Sequence, residues 1–458
     1  MAIDDKMLVQ WNSFLAEHPN IEFVWLQTMT YRANTLLRIV PVAKFNEILK
    51  TGKWVTIPKL IIFLCPGDVV AEGGLAALPN SLLLQPSIPT AYCRPDPQRH
   101  QAVIQCEWIE KDSGMKSKEC ARSRLQYLDT YLQQTVDVSM LVGFEIEVVF
   151  MCPEQQKDGE SLKTTYDPIT HNQAYSEMSS GTLGRMDFIE AIVRRISETG
   201  ILLDQIHPEA APGQWEFVLP PEKPVAAVDM LIKTREIIRQ VASESGFVAT
   251  LHPRLSPRAP GTGSHVHLSV NELRPGANSS VIKSVADSFF AGIVSHMPSV
   301  LAFTLAQSVS YERVSSGIWS GGEYACWGWE TKEVPLRRID ESRCEMKLMD
   351  GFANPYLALS ALLSAGIDGI TKKTSLTSGP CRLCAAVLTE TERESLGITT
   401  KLPKALEDAL SKLAEDHDLI SIMGEEIVSA YVTVKKDEAR ILGDMDPEER
   451  LRWLIARY

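Results

Sequence analysis

GFEIEVVF, residues 143–150, sets two carboxylates inside an apolar run. Side chains of a strand alternate between faces, so Glu145 and Glu147 leave one face while Phe144, Ile146 and Val148 occupy the other. Two carboxylates on one face repel unless that face meets water or a cation. Either this is the exposed face of an edge strand, or it is half of a cation site. GTGSHVHLSV (261–270) repeats the arrangement with His265 and His267, two imidazoles at i and i+2 followed by Ser269. Such a pair is a ligand set for a divalent ion, or two satisfied core histidines.

Two further stretches carry isolated acids. In HPEAAPGQWEFVLP (207–220), Glu209 and Glu216 bracket a Pro212-Gly213 turn that lets them converge, which a continuous strand would not allow. In SRCEMKLMD (342–350), Glu345 lies between Arg343 and Lys347. Together these motifs supply five carboxylates and one or two imidazoles, an oxygen-rich set suited to Mg²⁺ or Mn²⁺ rather than structural zinc. Arg313, Arg337, Arg338 and Arg343 are the cations available to hold anionic groups such as phosphates. There is no GxxxxGK[ST] loop, no GxGxxG after a strand, no HExxH and no GxSxG elbow. Hard divalent ions, arginines and no P-loop point to phosphoryl transfer by electrostatic clamping.

The chain has 458 residues, 46 Lys+Arg against 58 Asp+Glu, and a formal charge of −12. With 45% apolar and 23% charged residues it has ordinary globular composition, which excludes a disordered or collagenous chain. The acidic balance, without a long basic run, argues against nucleic acid or an anionic membrane as partner. No apolar stretch is expected to reach the roughly 18–20 residues of a membrane span, and MAIDDKMLVQ lacks a secretory pattern. Nine scattered cysteines, with a lone Cys381-x-x-Cys384, read as buried thiols of a reducing, cytoplasmic compartment.

The spacing predicts strands over 21–26, 36–42 and 103–108, an extended Pro/Ser-rich loop over 78–96, and a domain boundary near 110–120. Beyond it, helices are expected over 121–135, 188–198 (Asp187 as N-cap, Gly200 as stop) and 225–245. Another opens at Asn354-Pro355. Strands are expected at 143–150, 214–219 and 264–270. The fold class is α+β.

In their order and spacing these motifs resemble the glutamine synthetase family, weakly over about the first hundred residues and strongly from about residue 140. GFEIE resembles its Glu-x-Glu strand, IHPEAAPGQWE its His-His-Glu-Val-Ala-x-Gly-Gln-x-Glu segment, and GTGSHVHLS its Gly-Ser-Gly-Met-His-x-His-x-Ser strand. SRCEMKLMDGFANPYLALSALLSAGIDGI resembles its Arg-Ile-Glu segment running into Asn-Pro-Tyr. The resemblance implies a small β-grasp-like N-terminal domain, residues 1–112, and a large catalytic domain, 113–458, with a curved antiparallel sheet surrounded by helices. It implies one metal on Glu147, Glu209 and Glu216, and a second on Glu145, His265 and Glu345. His267, Ser269, Arg337, Arg343 and Lys332 match nucleotide- and phosphate-contacting positions. Gly261, Arg313, Trp319 and Lys347 match the substrate region, with Arg313, Arg337 and Trp319 nearest the reacting groups. The implied reaction is an ATP-dependent acid–amine ligation through an acyl phosphate, in a ring-shaped homo-oligomer with active sites between subunits.

Departures concern the substrates. Six residues after Arg313, where glutamine-forming members place an ammonium-binding glutamate, this chain has Trp319. No Asp-Gly-Ser-Ser loop precedes it; TGKWVTIP stands nearby. An indole offers a π-face and bulk instead of negative charge, which suits an organic amine better than ammonium. Lys347 and Lys332 replace arginines, and Pro260 stands where asparagine is usual, leaving the acid open between glutamate and another carboxylate. A regulatory or structural role without ligase activity, and authentic glutamine synthesis, are the alternatives.

Overall fold

The computed structural model describes residues 5–95, 100–158, 161–273 and 279–458. Two mixed helix-and-sheet layers share one hydrophobic core. In the first sheet, Phe23–Met29 pairs antiparallel with Thr35–Pro41 and parallel with Gln101–Glu110. Gln101–Glu110 then pairs with Ser81–Pro86, and that strand with Val55–Pro58. The helix Val42–Thr51 packs against this sheet through Phe45, Ile48 and Leu49. A strand at 81–86 corrects the expected loop. Its Leu82, Leu84 and Pro86 alternate inward, so period-two burial outweighs the Pro/Ser composition that marked the segment as turn. Tyr92–Cys93 adds a short strand beside Gln101–Glu110, whereas Asp96 lies outside the described residues.

The second sheet has nine strands among the described residues and runs from Trp327–Trp329 to Gln205–Pro208. Its axis is Val138–Asp158, flanked by Val266–Glu272 on one side and Gln214–Val218 on the other, both antiparallel. The pairing is antiparallel except between Trp327–Trp329 and Leu336–Arg338, which are parallel.

Helices cover this sheet. The helix Pro355–Lys372 is the innermost, buried from Pro355 through Gly369. Asn354 caps it as expected, its side chain accepting from the backbone of Tyr356 and Leu357. Asn354 Nδ2 also donates to the Thr30 carbonyl at 2.8 Å, tying this helix to the first sheet. The helix Met186–Ser197 begins earlier than expected. Its N-cap is Arg185, and Asp187 falls in the first turn, where its charge favours the helix dipole.

The helix Ser279–Thr304 corrects another expectation. Its stretch Val281–Thr304 is apolar and long enough to cross a membrane, but 72% of an 18-residue window within it is buried in the protein. His296, on this helix, pairs with Asp368 at 3.0 Å and Asp416 at 2.8 Å, polar contacts to neighbouring helices.

The helices Ser279–Thr304 and Pro355–Lys372 approach closely at Gly292 and Gly369. A Cβ added at Gly369 would lie 2.1 Å from the Ser288 carbonyl oxygen, which is backbone and cannot move aside. Gly369→Ala should therefore cost about 1–3 kcal/mol of stability through overpacking and lower the melting midpoint. Gly443→Ala, where a Cβ meets nothing within 4 Å, should leave it nearly unchanged in the same thermal melt.

Candidate active site

Strand register assembles the site. Glu216 sits directly opposite Glu147, and His267 sits opposite both Gly143 and Glu345 on its two sides. Four separate sequence stretches thus place their polar face on one patch of one sheet. Glu145 accepts or shares protons with both histidines, at 2.8 Å from His265 Nδ1 and 2.8 Å from His267 Nε2. His265 also lies 3.3 Å from Glu345 and 3.6 Å from Glu147. The turn after Glu209 folds as expected: His207 Nε2 reaches Glu209 at 3.2 Å and Glu216 at 3.8 Å. Glu147 is held by the Gly263 amide at 2.7 Å and by Gln214 Nε2 at 2.8 Å.

The charge balance of this patch is unfavourable by itself. Burial, reinforced by Glu145, Glu147, Glu209 and Glu345, pushes the Glu216 carboxyl up to about 10. Burial also works to raise Glu145, yet its hydrogen bonds to His265 and His267 hold it well below the usual carboxylate range. Three trios have ligand atoms within 4.8 Å of one another: Glu145, Glu216 and His265; Glu145, His267 and Glu345; His207, Glu209 and Glu216. A carboxylate kept protonated by its neighbours' charge, in an oxygen-rich cluster with imidazoles, fits hard divalent cations. All six residues expected as ligands converge here: His265 lies within 3.3 Å of both Glu145 and Glu345, and Glu147, Glu209 and Glu216 line the same cavity. His207 and His267 stand where ligands would stand. His207 was missed, although it repeats the i, i+2 spacing of the other pairs with Glu209.

Two cavities meet at the cluster. One of about 210 Å³ is lined by the carboxylates, Gly261, Arg313, Trp319, Lys332, Arg337 and Lys347, together with Tyr175, Gln205 and Ile318, which the sequence did not single out. The other, of about 500 Å³, contains His267, Ser269, Arg337 and Arg343 and shares Glu145, Gln205 and Arg337 with the first. Lys332 belongs to the smaller cavity rather than to the larger one, its ammonium 4.5 Å above the Tyr175 ring.

The cations divide their tasks. Arg337 pairs with Glu345 at 2.8 Å, and Lys347 reaches the same carboxylate at 3.2 Å. Arg343 Nη2 stands 3.1 Å from His267 Nδ1. Arg313 is 1% exposed, its Nε has no hydrogen-bond partner, and it forms no ion pair among the described residues. Burial pulls its pKa down, against the charges of Glu147 and Asp350. Arg338 does not belong to the site. It follows Arg337 by one residue on a strand, so it leaves the opposite face, pairs with Asp287 at 2.6 Å and stacks on Trp329. Trp319 lies at the mouth, 54% exposed, in the left-handed region at φ 58°. Glu333 accepts from the backbone amides of Gly317 at 3.0 Å and Trp319 at 2.7 Å, fixing that loop.

Residues 118–450 match the family described as glutamine synthetase, catalytic domain. The chain belongs to the glutamine synthetase family. Enzymes of this family are ATP-dependent ligases that form C–N bonds and use divalent metal ions. Protein fluG of Emericella nidulans is 37% identical over 445 residues, 97% of this chain and 50% of that protein. The chain thus spans about half the length of that relative. The gamma-glutamylpolyamine synthetase GlnA3 of Streptomyces coelicolor is 28% identical over 429 residues, 90% of this chain and 88% of that one. A solved structure described as a GmaS/ADP complex superposes with TM-score 0.78 at 22% identity, covering 96% of this chain and 98% of the other, a likeness of fold.

Within this glutamine synthetase-like site, Glu216 makes metal-free stability depend on pH. Its carboxyl titrates higher folded than unfolded, so the folded state holds the extra proton above the ordinary carboxylate range. Stability should therefore fall as pH rises from about 5 toward 9, by at most about 1.4 kcal/mol per pH unit for one proton. Denaturation followed with chelator present should show that slope. Glu216→Gln should flatten it, and Mg²⁺ or Mn²⁺ should remove it in the unsubstituted protein only.

Proposed function

We propose that this chain joins a carboxylate, glutamate being the first candidate, to an organic amine through an acyl phosphate formed from ATP. The observation that carries the reading is the convergence of five carboxylates and three imidazoles where the two cavities meet. In it, the larger cavity takes the nucleotide, and its phosphates reach the cluster between Arg337 and Arg343. Arg313, buried without a direct ion pair among the described residues, binds a carboxylate of the acid, with the Gly261 backbone lying against its guanidinium. A Cβ at Gly261 would come within 2.9 Å of Arg313 Nη1, so this approach needs glycine. Glu145, Glu147, Glu209, Glu216, His265 and Glu345, with His207 and His267, would hold Mg²⁺ or Mn²⁺, which when bound neutralise charge on the transferring phosphoryl group. The acid's carboxylate attacks the γ-phosphorus, ADP leaves, and the amine then displaces phosphate from the acyl carbon.

The amine enters past Trp319, Ile318 and Tyr175. These side chains give bulk and π-faces where an ammonium site would need a carboxylate, and Lys332 beside them adds positive charge. The Streptomyces relative's name, a gamma-glutamylpolyamine synthetase, supports an amine larger than ammonia. No residue of the N-terminal sheet lines either cavity. This is consistent with residues 1–112 acting as a domain that covers a neighbour's site in a ring-shaped homo-oligomer, as the family resemblance implies.

Phosphate release should be measured with ATP, Mg²⁺ or Mn²⁺, glutamate and a panel of amines. Turnover with an organic amine should exceed that with ammonia, and Glu147→Ala should lower it by roughly 100-fold or more. Absence of metal-dependent turnover above that variant for every acid–amine pair would remove the ligase reading. Trp319→Glu should shift preference toward ammonia. Glu333→Ala, which frees the Trp319 loop, should raise KM for the amine more than KM for ATP.

A further inference from the structure

Four lysines and arginines line the smaller active-site cavity, and they are not alike. Arg337 and Lys347 both lie against the Glu345 carboxylate, at 2.8 Å and 3.2 Å. Arg313 is the buried guanidinium that the ligase reading gives to the acid. Lys332 differs from all three. It is exposed and forms no ion pair among the described residues. Its ammonium stands 4.5 Å from the centre of the Tyr175 ring. A ring face satisfies one side of an ammonium, and its N–H donors stay available to an acceptor.

The acids closest to Lys332 along the chain are engaged elsewhere. Glu333 turns both carboxylate oxygens to backbone amides, Oε2 to Gly317 at 3.0 Å and Oε1 to Trp319 at 2.7 Å. Glu323 pairs with Lys404 and accepts from the Ser316 amide at 3.2 Å. The carboxylates that do line the cavity are Glu145, Glu147, Glu209, Glu216 and Glu345, all of them in the cation cluster. The mouth, where Trp319 is 54% and Tyr175 50% exposed, therefore offers rings, the Ile318 side chain and one positive charge.

This pattern bears on which amine approaches the acyl phosphate. A polyamine brings one nitrogen to react and at least one further ammonium, for which the mouth holds a like charge and no carboxylate. A neutral alkylamine lies on the rings and leaves Lys332 without a counter-ion. An amine that carries a carboxylate supplies one. A phosphate tail, more highly charged, calls for several cations or a guanidinium fork, whereas a single ammonium suits a monoanion.

We infer that the amine is an amino acid, whose carboxylate pairs with Lys332 while its free-base nitrogen attacks the acyl carbon. This rests on the ligase reading above and narrows its substrate class. In the attack a C–N bond forms and the bond from the acyl carbon to the phosphate oxygen breaks. Inorganic phosphate leaves with that electron pair, and the surplus N–H proton passes to solvent. Lys332 takes no part in these bond changes; it selects the amine by charge.

Phosphate release at saturating ATP, Mg²⁺ and glutamate should be compared across amines matched in chain length. The trios run from ethylamine, glycine and ethylenediamine to butylamine, γ-aminobutyrate and putrescine. In at least one trio the amino acid should have the highest kcat/KM and the diamine the lowest, by about threefold at each step, the scale of an exposed ion pair. Lys332→Glu should reverse that order, and Lys332→Arg should keep it. The ratio between two amines, compared across variants, cancels their different basicities, so a general loss of activity does not mimic the reversal. The assignment is overturned if no amino acid exceeds its neutral partner in any trio, or if Lys332→Glu lowers kcat/KM for all three kinds of amine alike. It is equally overturned if that variant raises KM for ATP or glutamate and leaves the amine ratios as they were. In each of these cases metal-dependent turnover of an alkylamine or a diamine still upholds the ligase. No metal-dependent turnover with any amine removes the ligase reading and this assignment together.

Discussion

The structure is organised around an electrostatic conflict. Five carboxylates share one patch of one sheet, and Glu216 is driven so far from its ordinary titration range that it holds a proton without cations nearby. Such a patch persists only because everything around it is stiff. Glu147 is gripped by a backbone amide and by Gln214, Glu145 by two histidines, and Glu345 by Arg337 and Lys347. The sheet carrying them packs against the helices Pro224–Glu244 and Ser279–Thr304, which in turn pack on a helix with fifteen consecutive buried residues, Pro355 through Gly369. Stability is given up locally so that cation binding, rather than folding, resolves the repulsion.

Strand pairing also decides which charges serve chemistry and which serve packing. Arg337 and Arg338 are neighbours in sequence with unrelated surroundings. The first bridges both cavities, while the second is enclosed by Phe290, Trp327 and Trp329 rings and by Asp287. Arg313 belongs to a third class, a buried guanidinium with no direct ion pair among the described residues, which feels Glu147 and Asp350 only at a distance.

Much of this was legible before any coordinates. Alternation placed Glu145 with Glu147 and His265 with His267 on shared faces, and the Pro212-Gly213 turn brought Glu209 toward Glu216, because period two and turn chemistry are local properties. The strand Ser81–Pro86 was not legible, since its Leu run is framed by prolines and serines that mimic a loop, and only its partners Val55–Pro58 and Gln101–Glu110 show that it is paired. Arg338 was misplaced because the spacing of neighbouring arginines was not read as alternating. The apolar length of Ser279–Thr304 was underestimated because His296 and Pro298 interrupt it, and burial against its neighbours is a tertiary fact. Tyr175 and Gln205 carry no motif, so their place beside the cluster follows from chain folding alone.

The strand Leu336–Arg338 is joined to Arg343–Met346 by a short link, Ile339–Ser342, and the pairing sets Arg337 across from Glu345. A one-residue slip of that pairing would exchange the two arginines between the wet and dry sides of the sheet. A carboxylate and a ring cluster would each lose their cation in one event. The register of this hairpin therefore fixes, in one step, which arginine faces the cluster, and Ile339 in the link itself borders the larger cavity.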